Sequence, residues 1–96
     1  MKRQGDILFV PVTQIPFGLK IKEDCVIAEG EKNGHKHVLG GGILLNDSKI
    51  GMFIKVEKEE AFVTHNEHAP IILLKGFYQV KRQREYEPGG WRHISD

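Results

Sequence analysis

The sequence predicts an all-β fold, a small single-domain β barrel or sandwich of short antiparallel strands. Three observations carry this. β-branched and aromatic residues fall in short runs, and Gly, Pro and Asn punctuate the chain about every eight to twelve residues. No stretch holds a 3.6-residue apolar period over a helix length. The chain has 96 residues, room for one core, so residues 1–96 read as one β domain. Residues 87–96, with a Pro-Gly-Gly break before Trp91, read as a tail that frays or anchors through that indole.

Residues 6–12 (D-I-L-F-V-P-V) form the first predicted strand, with Pro11 marking an edge position or a strand end. T-Q-I-P-F-G-L is a loop, and residues 20–28 are a second strand containing Cys25. Asn33-Gly34 predicts a type I′ hairpin turn leading into a strand over residues 35–39. Gly40, Gly41 and Gly42 mark a bend, a bulge or a close backbone approach, since no Lys-Ser/Thr or helix follows as a phosphate loop requires. Residues 43–45 and 50–56 are further strands around an N-D-S-K turn. E-K-E-E-A-F reads as a helical turn or solvated loop, and residues 71–74 and 76–86 supply the last strands.

The hydrophobic fraction of 40% and the charged fraction of 28% are those of an ordinary globular protein, and a net charge of +1 gives no global pull toward nucleic acid or membrane. Cys25 is the only cysteine, so no intramolecular disulfide forms, and beside Val26 and Ile27 it reads as a small buried hydrophobe. Pro11 ends the apolar run after the basic start too early for a signal core. No segment reaches a membrane span, so no membrane partner is expected, and the predicted location is cytoplasmic.

The chemistry concentrates in two segments. E-G-E-K-N-G-H-K-H-V-L carries His35 and His37, which share a face of an extended strand about 6–7 Å apart. T-H-N-E-H-A-P carries His65 and His68; His65 and Glu67 share a face when extended, and His68 joins them only if the chain bends. If the fold brings the segments together, His35, His37, His65 and His68 form a set for a divalent transition metal (Zn, Ni, Mn or Fe). Glu29 or Glu31 on the opposing hairpin arm, or Glu67, would be ligand or general base. The alternative is surface histidines with no common centre.

The strand over residues 77–86 starts apolar and ends polar, with Arg82, Arg84 and Tyr86 on one face. Arginine forks suit carboxylate or phosphate, so these three residues would orient an anionic small molecule or a nucleic-acid end; otherwise they pair with surface glutamates or build a subunit interface.

His-x-His in a glycine-rich β setting resembles the first motif of the cupins, but the place of that family's following glutamate is taken here by Val38-Leu39-Gly40-Gly41-Gly42. The chain also resembles a group of small uncharacterised prokaryotic proteins. The similarity lies in G-D-I-L-F-V-P-V, E-G-E-K-N-G-H-K-H, H-N-E-H-A-P-I, G-F-Y-Q-V-K-R-Q-R-E-Y and the late Trp-Arg. This resemblance implies a shared fold and site and names no reaction.

Three functions compete. A metal-dependent or histidine-based hydrolase would use the four histidines to hold a metal or move protons, with Glu29, Glu31 or Glu67 as ligand or general base. A non-catalytic binding module would contact protein or nucleic acid through the Arg/Tyr strand. An accessory subunit would assemble as a homo-oligomer through antiparallel edges.

Overall fold

The computed structural model describes residues 1–29, 34–87 and 90–93, those beyond Gln83 as backbone. Its first element is a hairpin that the sequence reading missed. β1 (Lys2–Gln4) pairs with β2 (Ile7–Val12), with Gln4 opposite Ile7 across the two-residue loop Gly5-Asp6. Gly5 has φ 60°, and no non-glycine residue described has positive φ. That combination is the II′ turn, whose first central position calls for glycine.

β3 (Lys20–Ile21) and β4 (Val26–Glu29) replace the single strand expected over residues 20–28. The reason is local: Lys22 pairs with Asp24, and Asp24 Oδ1 accepts from Val26 N at 3.0 Å, closing a turn between them. Cys25 lies in this turn and is exposed, which corrects its reading as a buried hydrophobe. Ile27 is the residue of β4 that enters the core. β4 pairs antiparallel with β5 (Lys36–Gly40) from Glu29↔Lys36 onward. Asn33 of the expected I′ turn and Glu31 lie outside the described residues.

β6 (Ile43–Asp47), β7 (Gly51–Thr64) and β8 (Ile71–Arg82) complete the main sheet. Glu57 to Glu60 belong to β7 instead of a helical turn or loop. The run is solvated as expected, because a register shift between Val56 and Glu60 bulges the strand there. Gly41 and Gly42 turn against that region, with Gly42 placed so that a Cβ would meet the Ala61 Cβ at 3.4 Å, the close approach predicted for the glycine run. The strand expected over residues 76–86 breaks at Gln83, after which β9 (Arg84–Glu87) pairs with β10 (Gly90–His93) in a separate ribbon. Residues 90–93 of the expected tail are therefore strand.

All pairings are antiparallel and the fold is all-β. The main path is β1-β2-β8-β7-β5-β4, with β6 beside β7 and β3 beside β6. In a flat sheet β1 and β5 would lie about 19 Å apart, four strand spacings. Yet the Gln4 side chain on β1 is 2.8 Å from His37 on β5, so the sheet curls until its first strand meets its fifth. Inside the curl lies the core, including Phe9, Leu39, Ile54, Val63 and Leu73.

A four-histidine candidate site

Strand register brings the histidine segments together. β5 pairs with β7 as Val38↔Thr64 and Leu39↔Val63. One step beyond Val38↔Thr64 sets His37 against His65, whose ring centroids are 4.3 Å apart. The next step brings Lys36 N to Asn66 Oδ1 at 3.1 Å, and the one after brings His35 Nδ1 to Glu67 Oε1 at 3.2 Å. The chain then bends, and His68 comes within 4.6 Å of His65 and 6.3 Å of His37, centroid to centroid. His35 meets His65 edge-on at 5.6 Å. The convergence expected of these four residues is the observed geometry.

Two residues missed in the sequence support the cluster. Gln4 is buried, and its amide nitrogen donates to Val63 O at 3.0 Å and Ala69 O at 2.9 Å. With both hydrogens spent, its oxygen can only accept, so His37 Nδ1 donates to it at 2.8 Å. His37 is thereby held as the Nδ1–H tautomer, with a lone pair on Nε2. Gly5 lets the β1–β2 turn come against the rings, since a Cβ there would lie 2.9 Å from His68 Nε2. The Gly-Asp dipeptide could have flagged this hairpin; nothing in the sequence singles out Gln4.

His65 has the opposite tautomer. Its Nδ1 accepts from Glu67 N at 3.0 Å and His68 N at 3.2 Å, which in a neutral imidazole leaves the proton on Nε2. Among the described residues Gln83 Oε1 is the only buried polar side-chain atom without a partner. The Nε2 atoms of His37 and His65 are not among such buried, unpartnered atoms, although His37 as a whole is buried.

Burial, then the charges of His65 and His68, lowers the His37 pKa from 6.5 to about 4, with Asp6 opposing and Arg82 adding to the fall. Burial and the His68 and His35 charges lower His65 as well, against Glu67 and Asp6. Both rings are neutral at pH 7.

Arg82 lies close enough for its charge to act on His37, and its Nε is 3.5 Å from Asp6 Oδ2. Glu29 sits opposite Lys36, while Ala28 faces His37, so the hairpin arm does not bring Glu29 across from a histidine. The side chains of Arg84 and Tyr86, like Glu31, fall outside the described residues. Among those described, no group of three or more His, Cys, Asp or Glu is arranged to hold a metal ion. Within the cluster the His37 and His68 rings stack at 11°, and each is tilted by 37–39° to His65. An open groove lined by Gly34, Lys36, Val38, Thr64, His65 and Asn66 adjoins the cluster.

Fold and site define a small antiparallel β protein with a histidine cluster where its curled sheet closes. The chain belongs to the family described as Domain of unknown function (DUF8820), whose model matches residues 3–83. That span contains both histidine segments, Gln4 and Arg82. Comparison with curated proteins and with solved structures gives no match.

Proposed function

We propose that the cluster binds a divalent transition metal (zinc, nickel, manganese or iron) and uses it on an anionic substrate, with hydrolysis as the reaction class. The observation that carries the reading is the Gln4–His37 bond at 2.8 Å. A metal-binding histidine characteristically donates its second N–H to a fixed acceptor, which sets the tautomer and turns the other nitrogen to the ion. His37 is the anchor ligand in this reading, with His68 beside it. His35 completes the set by turning away from Glu67, leaving that carboxylate as general base for a bound water. Arg82 orients the anion.

Metal content of untagged purified protein tests this, together with thermal stability in each of the four metals. Expected are stoichiometric metal, or a rise in Tm of several degrees that His37→Gln abolishes. No bound metal and no Tm response to any of the four overturns the reading. Stabilisation by phosphate or a short oligonucleotide, lost in Arg82→Ala, supports the anion role.

A second reading, assembly with copies of itself, rests on the outer face of the β7–β8 pair. Phe62 lies opposite Ile72 there, and both are exposed, as is Leu74. Apolar neighbours of this kind favour an interface. Sedimentation that gives a monomer at all concentrations counts against it.

A further inference from the structure

We infer that His65 is the hydrogen-bond donor of the site, a neutral imidazole presenting Nε2–H to an oxyanion of the phosphate or carboxylate type. The inference rests on the reading above for its substrate class and departs from the sequence expectation that His65 is a metal ligand.

The argument begins at the backbone. The turn after β7 aims two amides, those of Glu67 and His68, at His65 Nδ1. Two donors on one ring nitrogen oppose its protonation, and they leave the ring's single proton on Nε2. A neutral histidine held in this way is an uncharged donor able to polarise or steady an oxyanion. To ligate a metal through Nε2, the ring would have to lose that proton or give up both backbone bonds. His37 carries the complementary tautomer, set by Gln4, at a ring separation of 4.3 Å. The two neighbouring rings thus carry one bare nitrogen and one N–H.

Access supports the assignment. His65 is among the residues that line the open groove, with Gly34, Thr64 and Asn66. Its Nε2 makes no hydrogen bond to a described residue and is not buried. Asn66 Oδ1 ties the turn to β5 through Lys36 N, so the donor is positioned before any ligand arrives.

Long-range proton–nitrogen correlation spectra of the nitrogen-15-labelled full chain at pH 7 test this on the wild-type protein. Opposite tautomers are expected, with the proton on Nδ1 in His37 and on Nε2 in His65. Inorganic phosphate or acetate should move the His65 Nε2–H resonance, and which of them acts names the oxyanion class. A proton on Nδ1 of His65, a doubly protonated ring, or no response to either anion overturns the inference. Zinc separates it from the metal reading. If zinc shifts His37 Nε2 and leaves His65 Nε2–H in place, both stand. If zinc removes the His65 Nε2 proton, His65 is a ligand and the donor role fails while metal binding stands. If zinc moves nothing but an anion moves His65, the donor role stands alone.

Discussion

At the scale of single residues, Gln4 is the group outside the histidines that fixes the orientation of His37. Gln4→Leu would leave the buried His37 Nδ1–H without its acceptor and remove the side-chain bonds to the Val63 and Ala69 carbonyls. Unpaired buried groups of this kind cost roughly 2–4 kcal/mol together, so the urea midpoint should fall with an unchanged m-value. His37 supplies a pH signature. Its native pKa is about 4 against an ordinary 6.5, so between these values the unfolded chain binds a proton that the native ring refuses. Stability is then fully present above about pH 6.5 and is lost as pH falls toward about 4. Urea unfolding at intervals across that window should show the slope, and His37→Gln should flatten it. The histidines themselves could be read from the sequence because titratable residues paired at short spacing are visible in one dimension. Gln4 could not, because its importance comes from the curl that carries β1 round to β5.

Whole elements show where local pattern suffices and where pairing overrides it. The glycine run at 40–42 was readable, since three residues without side chains announce a close approach. Gly41 has φ 81° and lies against Ala61. Gly41→Val should therefore cost about 2 kcal/mol through left-handed strain and contact, seen as a lower Tm at unchanged secondary structure. The charged stretch Glu57 to Glu60 misleads because its composition resembles a loop. It is strand because β6 and β8 flank the preceding residues of β7, and β5 and β8 flank those that follow. The second predicted strand failed for the opposite reason. A short polar turn at Lys22 to Asp24 divides an apolar-looking run into β3 and β4, which pair with different partners. Removing the Asp24 carboxylate with Asp24→Ala should loosen this turn, measurable as faster amide exchange at Val26.

For the molecule as a whole, fold class follows from alternation and turn spacing, while the closing of the sheet does not. Nothing in the composition says that the first strand will return to the fifth, and the Gln4–His37 bond exists only because it does. No helix among the described residues is long and apolar enough to cross a membrane. The register of β5 on β7 has a consequence for how this chain can vary. The same alternation that turns Leu39 into the core turns His37 into the cluster, and the partners of both are counted along one ladder. Deleting one residue between His37 and Leu39 would put one set or the other on the outside face. Core and site therefore tolerate substitution separately but length change only jointly. Deleting Val38 should give either an unfolded chain or a folded one that has lost the cluster, and no folded chain that keeps both, as read by proteolysis alongside the His37 nitrogen-15 signals.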